Sequence, residues 1–444
     1  MSEASAATHD LPLSHRARSA VDQPIAYLMQ QAVANPGLIS LAAGLVDYAS
    51  LPADPVREII DELLADPAAA RAALQYGATP GLAELREAIF QHLARLDGST
   101  PDDYAGSADD VVVTTGSQQL LHLLTEALID PGDVVLTARP TYFVYTGFLP
   151  SFGATVRGVP IDEHGLRLDP LESVLAALEK IGRLRRVKLI YTCSYHQNPT
   201  GITLSDERRR GLVELVRRWS DRAGQRIVVI DDAAYRELTY DPPEDGLLPS
   251  IRRYDETGEY VALLHTLSKP FSPGLKTGYG LLPRDLVEPV LRAKGGRDFG
   301  SNNFVQHVLH RALTGGAFDR HLATLRTVYR NKRDAMLAAL DKHLGSMRDR
   351  GVAWTTPAGG LYVWLTLPET VDTGRDGPLF RRAIDEGVLF VPGAYCYPSD
   401  PAKSAPRHEL RLSFGVPDEA QIERGIARLA AAVREVMGHE GAEG

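Results

Sequence analysis

Cysteine is scarce in this 444-residue chain, which has only Cys193 and Cys396. That excludes a disulfide framework and a cysteine-built zinc cluster, and it fits a reducing compartment. No apolar run approaches the ~20 residues of a membrane-spanning helix. The opening stretch MSEASAATHDLPLSHRARS lacks the continuous apolar core of a secretory signal. A cytoplasmic location is therefore expected. Positive charge is not in excess either: 48 Lys+Arg stand against 57 Asp+Glu, a formal net charge of −9. That balance argues against a general nucleic-acid binder, although it leaves room for a local basic pocket. Internal repeats, low-complexity tracts and long linkers are also missing. What is present is an ordinary globular mixture, 44% hydrophobic and 24% charged. The length suits two or three domains with a sizeable core. Small molecules are the expected ligands.

Residues 1 to about 20 are polar and rich in Ala and Ser, which predicts a mobile arm. Short β-branched runs then recur: Val111–Thr115, Val134–Ala138, Thr155–Pro160, Lys188–Thr192, Ile227–Asp231, Val261–Thr266 and Thr277–Leu282. Helical stretches lie between several of them, at Gln118–Leu128, Leu171–Lys180 and Ser205–Arg222, with Ser205 as an N-cap. Apolar strands alternating with amphipathic helices predict an α/β fold, a mostly parallel seven-stranded sheet covered on both faces. After about residue 300 a long helical stretch, Asn302–Leu344, leads into short strands at 353–355, 361–367, 388–391 and 409–414. A closing helix is expected over Asp418–Val436. This reads as a smaller α+β domain, with the segment from Ile25 to about Ser50 packing near it. The resulting division is an N-terminal arm and segment over 1–51, a large domain over 52–300 and a small domain over 301–444.

Ligands of such sheets sit beyond the C-terminal strand ends, so the residues there carry the chemistry. Thr114-Thr115-Gly116-Ser117-Gln118-Gln119 joins a strand to a helix whose free N–H groups suit a phosphate; alone, it is as readily a plain cap. Tyr142 follows Arg139-Pro140-Thr141 and could face a planar ligand or pack under a loop. Asn198, in Gln197-Asn198-Pro199-Thr200-Gly201, could donate its amide to a ligand oxygen or serve the turn. Asp231 and Asp232 end a buried strand, and a carboxylate there needs a partner: a cationic ring nitrogen, a helix N-terminus or an arginine. Lys269, in Thr266-Leu267-Ser268-Lys269, stands where desolvation can depress an amine's pKa and ready it to attack a carbonyl; most lysines are simply solvated. Arg411 alternates with apolar neighbours on its strand and points away from them, to a carboxylate or a structural salt bridge. Together, a phosphate cradle, a stacking ring, an Asn, an Asp, a Tyr and a Lys at strand ends of one sheet describe the needs of pyridoxal 5'-phosphate.

Residues from about 35 to 435 resemble the class I/II aminotransferases, the fold-type-I pyridoxal-phosphate enzymes, and within them the 2-aminoadipate and kynurenine aminotransferase branch. The matching stretches are Leu74-Gln75-Tyr76-Gly77 with Gly81 to Arg86, then TTGSQQ, RPTY, QNPTG, DDAAY, TLSK with PGLKTGY, PAGGLYVW, VPG and RLSF. The resemblance implies an enzyme moving an amino group from an L-amino acid to a 2-oxo acid by a ping-pong mechanism. It implies that Lys269 holds the cofactor's aldehyde as a Schiff base and shuttles the substrate proton. Asp232 keeps the pyridine nitrogen protonated, leaving Asp231 as a neighbour. Tyr235 and Asn198 hydrogen-bond the phenolic oxygen and Tyr142 stacks on the ring. Ser117 and Gln118 N–H groups, with Thr266, Ser268 and Lys276, bind the phosphate. Tyr76 reaches the phosphate of a neighbouring subunit, implying a homodimer with shared sites. Arg411 clamps the substrate α-carboxylate and Gly44 lines the substrate entrance. No metal, nucleic acid or membrane is implied.

Three departures from the branch stand out. Lys276 replaces a usual Arg, keeping charge but losing the bidentate fork. Arg139 stands where Glu is common. Ile25-Ala26 replaces the Ile-Arg that relatives taking aminoadipate or glutamate often carry, and their Gly-Gly-Leu-Pro reads Ala43-Gly44-Leu45-Val46. Acidic substrates are thereby disfavoured unless Arg16, Arg18 or Arg139 substitutes. Two rival readings follow: a pyridoxal-phosphate lyase, decarboxylase or synthase on the same scaffold, and a non-catalytic ligand sensor. Against the second, only about 50 residues precede the large domain, too few for the winged-helix fusion of known regulators.

Overall fold

A computed structural model describes residues 11–19, 24–35, 37–242, 246–400 and 403–440. The expected mobile arm lies largely outside these residues; within 11–19 the chain forms one four-residue helix, His15–Arg18.

The central sheet has eight strands: β1 (Val111–Thr114), β2 (Val134–Arg139), β3 (Thr155–Asp162), β4 (Gly165–Leu166), β5 (Val187–Cys193), β6 (Val228–Asp232), β7 (Val261–Thr266) and β8 (Gly278–Leu281). Their order is β1-β8-β7-β6-β5-β2-β3-β4. The pairs β7–β6, β6–β5, β5–β2 and β2–β3 are parallel, whereas β8 runs antiparallel to both its neighbours. Seven strands are expected from the sequence and eight are found. The extra one is the two-residue β4, where the chain turns back on β3, too short to show an alternating pattern.

Side-chain alternation divides the sheet into two buried faces. On one, Leu136, Ile190, Val229 and Val261 pack against the helices Leu168–Lys180 and Asp206–Ala223. Ser205 caps the second of these by accepting from the Arg208 N–H. On the other, Val135, Leu189, Ile230 and Leu264 pack against Ser117–Leu128 and Arg284–Asp298. The last helix was not anticipated from the sequence; Pro289 interrupts its pattern. Cys193, Asp232 and Thr266 end their strands on this second face, by parity with Leu189, Ile230 and Leu264.

The C-terminal part holds a four-stranded sheet, β9 (Ala353–Trp354), β10 (Tyr362–Thr366), β11 (Val391–Pro392) and β12 (Glu409–Ser413), ordered β9-β10-β12-β11. The single helix expected over Asn302–Leu344 is two helices, Asn303–Thr314 and Ala317–Leu344. They part at Gly315-Gly316, the poorest helix formers after proline. The expected strand 388–391 also divides: Val388–Leu389 pairs in parallel with Ile39–Ser40, while β11 joins β12. The closing helix runs Glu419–Glu440.

Two contacts fix the sheet end that carries the strand-end residues. A Cβ on Gly278 would lie 2.2 Å from the Ser117 backbone nitrogen, so only glycine lets β8 approach the start of Ser117–Leu128. Beyond β6, Arg236 pairs with Asp97, both fully buried. Asp97 also accepts from Ser250 N at 2.7 Å, Ser250 Oγ at 2.6 Å and Tyr104 Oη at 2.6 Å. Burial pushes its carboxyl up, but the Arg236 guanidinium and these donors outweigh it and hold it below the usual carboxylate range. The pair anchors the turn that follows Tyr235. Breaking a buried pair leaves a bare charge, so Asp97→Ala is expected to cost about 3–5 kcal/mol in denaturant unfolding. A loss under about 1 kcal/mol would mean that water solvates Arg236 there.

Candidate active site

A cavity of about 270 Å³ opens at the C-terminal ends of β1, β5, β6 and β7. Ser117, Gln118, Thr266, Ser268 and Lys276 line one side. Tyr142, Asn198, Asp232, Tyr235 and Lys269 line the rest. Ten of the sequence-predicted residues therefore meet in one space.

The first side is built for an anion. Gly116 takes φ 75°, turning the chain sharply from β1 into the helix Ser117–Leu128, and no side chain caps that helix start. Its opening N–H groups face the cavity with the positive end of the helix dipole. Lys276, itself left-handed at φ 45°, adds an ammonium to the lining.

The remaining lining residues carry most of the titratable groups. Asp232 is buried, and its Oδ2 accepts from the Tyr191 hydroxyl at 2.8 Å. Oδ1 accepts only a long bond from Ala234 N, 3.3 Å. Among the described residues no cation pairs with it. Burial pushes its carboxyl up to about 6, against the Tyr191 and Ala234 bonds. Asp231, one residue earlier, faces the other way, bonded to Ser194 Oγ and to Ile251 N at 2.9 Å. A buried carboxylate aimed into a cavity without a cation is the partner that a protonated ring nitrogen lacks.

Lys269 is partly exposed into the cavity, and its Nζ donates to the Gly44 carbonyl at 2.7 Å. Burial, helped by the Arg411 charge, lowers its pKa to about 8. About a tenth of it is neutral at pH 7, against a negligible fraction for an ordinary lysine. Tyr235 and Tyr142 are phenols pushed up by burial, and both stay protonated. The Tyr142 hydroxyl lies 3.4 Å from Gln118 Oε1.

Arg411 sits beside the cavity on β12, 2% exposed. It donates to Asn198 Oδ1 at 2.8 Å and to the Ala42 carbonyl at 2.7 Å, and its buried Nε has no partner. Gly44, two residues beyond Ala42, enters through its carbonyl on Lys269. Tyr76 does not join this cavity within the chain. It is 84% exposed and lines a separate hollow, edge-on to Phe299 at 5.9 Å. The side chains of Ile25 and Ala26 lie outside the described residues.

Sequence reading assigned no role to Tyr191, Cys193 or Tyr362. Cys193 and Tyr191 share the Asp232 face by strand parity, a signal that was available. Tyr362 lies on the Arg411 face of the small sheet, because Trp364 stands opposite Arg411. Arg139, unexplained in the sequence, lays its guanidinium 4.8 Å from the Tyr397 ring and donates to the Ser404 carbonyl. It braces β2 against the loop beyond β11.

The family model "Aminotransferase class I and II" matches residues 36–429. Aromatic-amino-acid aminotransferase 1 of Thermococcus litoralis is 34% identical over 90% of this chain and 89% of its own length. The 2-aminoadipate transaminase of Thermus thermophilus is 32% identical over 90% and 91%. The kynurenine aminotransferase of Pyrococcus horikoshii, solved in complex with PMP, superposes with a TM-score of 0.85 at 32% identity, covering 96% of this chain and 98% of that one.

The lowered Lys269 pKa is testable on cofactor-free protein. Uptake of pyridoxal phosphate, trapped on Lys269 by borohydride and read by peptide mass, is expected to quicken with pH and level off above about 8. A rise continuing to the range of a free lysine would contradict the burial argument.

Proposed function

The chain belongs to the class I and II aminotransferase family and is a pyridoxal-phosphate-dependent enzyme of amino-group transfer; within that activity, we propose that its amino donors are L-amino acids with uncharged side chains. The observation that carries the site assignment is the convergence of Lys269, Asp232, Tyr235 and Asn198 on one cavity beside Arg411.

The cofactor, when bound, supplies an aldehyde that condenses with amines and a cationic ring that draws electrons from the substrate α-carbon. Ser117 and Gln118 N–H groups, Thr266, Ser268 and Lys276 hold its phosphate. Tyr142, which lines the cavity, would lie against the ring. Asp232, kept from water, would present its carboxylate to the ring nitrogen, the cation it lacks among the described residues. Tyr235 and Asn198 donate to the ring oxygen. Lys269, neutral in useful amount near pH 8, would be the amine that holds the cofactor's aldehyde and the base that moves the proton at the substrate α-carbon. Arg411 binds the substrate α-carboxylate through its second N–H hydrogens, a bidentate match. Donor and acceptor use this space in turn, the ping-pong order. The family match over residues 36–429 favours amino transfer over a lyase, decarboxylase or synthase chemistry.

The uncharged-donor reading rests on where the cations are. Arg139 is spent on Tyr397 and Ser404, Arg16 lies over Phe152 at 4.6 Å, and Arg18 bonds the Leu13 carbonyl. Lys276 and Lys269 are assigned to the cofactor. Exposed Leu45 and Tyr48 follow Gly44. We further read the protein as a homodimer in which Tyr76 completes the partner's phosphate site; the exposure of Tyr76, Phe299 and Leu74 in one hollow supports this. The division into 1–51, 52–300 and 301–444 draws support from the two separate sheets, and a cytoplasmic location from the two free cysteines. No helix among the described residues is long and apolar enough to cross a membrane.

A half-reaction screen tests the donor class: amino acids are added singly to the holoenzyme and loss of its visible cofactor absorption is followed. Apolar and aromatic donors are expected to react at lower concentration than glutamate or aminoadipate; the reverse order would overturn the reading. In sedimentation the protein is expected to run at twice the chain mass, and Tyr76→Ala to weaken cofactor retention.

A further inference from the structure

Tyr362 touches four candidate site residues without lining the cavity, and we propose that it is a positioning residue: its hydroxyl turns the Tyr235 proton toward the cofactor's ring oxygen, while its ring seats Arg411. This rests on the reading that Tyr235 faces that oxygen and Arg411 the substrate carboxylate.

Tyr362 is 1% exposed. Its hydroxyl lies 3.1 Å from Tyr235 Oη and 3.4 Å from Asn198 Nδ2. The direction of these bonds follows from which groups can donate. Arg411 has only donors, and it bonds Asn198 Oδ1 at 2.8 Å. The Asn198 amide is thereby oriented, and its Nδ2, which can only donate, faces Tyr362. Tyr362 accepts that bond and must place its own proton elsewhere. The Tyr235 oxygen is the acceptor in reach. Tyr235 then keeps its own proton for the cavity that it lines. The opposite arrangement, Tyr235 donating to Tyr362, would strand the Tyr362 proton in the core without an acceptor. Donations in one sense also polarise one another, so each bond strengthens the next.

The ring does separate work. The Arg411 guanidinium carbon stands 4.4 Å from the Tyr362 ring centroid, a cation–π contact that holds the clamp in place. The backbone closes over the hydroxyl: a Cβ at Gly44 would lie 2.6 Å from it. The same short segment bonds Arg411 through the Ala42 carbonyl and Lys269 through the Gly44 carbonyl. Hydroxyl and ring thus serve different site residues and can be removed one at a time.

The test is a pH titration of the holoenzyme's visible cofactor band, with steady-state KM for the amino donor measured alongside. A weaker donor leaves more negative charge on the ring oxygen, which then holds the adjacent proton to higher pH. Tyr362→Phe is expected to move the midpoint upward, by less than Tyr235→Phe does, with KM close to that of the parent enzyme. Tyr362→Leu, which also loses the ring, is expected to raise KM. The double variant Tyr235→Phe/Tyr362→Phe is expected to shift no further than Tyr235→Phe alone. An unmoved midpoint in Tyr362→Phe beside a moved one in Tyr235→Phe overturns the proposal and leaves the site assignment standing. No movement in either variant overturns the Tyr235 assignment and the proposal with it. Should Tyr362→Phe not load cofactor, Gly44→Ala displaces the same hydroxyl and is expected to give the upward shift; its absence overturns the proposal.

Discussion

Asp232 ends one strand and Lys269 stands just beyond its parallel neighbour, with too little water around either to keep its ordinary pKa. The amine is held near 8 and the carboxyl near 6, each moved toward neutrality by the same desolvation. Both shifts create a demand: the amine is ready to attack a carbonyl, and the carboxylate wants a cation. A ligand that brings an aldehyde and a basic ring nitrogen meets both at once. The depth of this corner of the sheet is thus the constraint on which the rest depends.

Strand parity keeps that arrangement from collapsing. Asp231 and Asp232 are adjacent carboxylates, yet they serve opposite faces. Asp231 is absorbed by Ser194 and Ile251 and stays out of the cavity that Asp232 lines. On the cavity face Tyr191 takes one Asp232 oxygen and leaves the other with only the long bond from Ala234 N. Farther out, Asp97 and Arg236 hold the turn after Tyr235, and Gly278 lets the start of the helix Ser117–Leu128 sit against β8. Each support satisfies a buried polar group or removes a clash.

The departures from the family pattern take on physical meaning in the structure. Arg139 is a brace between the large sheet and the loop beyond β11, its charge spread over the Tyr397 ring. Lys276 keeps a positive charge in the cavity lining from a left-handed position, as a point charge in place of a planar fork. Arg16, Arg18 and Arg139 each have another contact, with Phe152, the Leu13 carbonyl and Tyr397 with Ser404.

Much of this was legible beforehand. The apolar runs placed seven strands within a residue or two at most ends, Ser205 marked its helix, and the strand-end residues named the cofactor. These are local signals: periodicity, turn chemistry, and residue types in a fixed order. The two-residue β4 and the break at Gly315-Gly316 were missed because the first is too short to alternate and the second lies inside a continuous amphipathic pattern. The bond between Asn198 and Tyr362 joins residues 164 apart, and that between Arg411 and Asn198 residues 213 apart. No period in the chain encodes such a meeting. The amino-acid order by itself determined which chemical groups would stand at the strand ends. Only packing decided which of them share a proton, because a buried hydroxyl takes its direction from whichever neighbours the fold brings within reach.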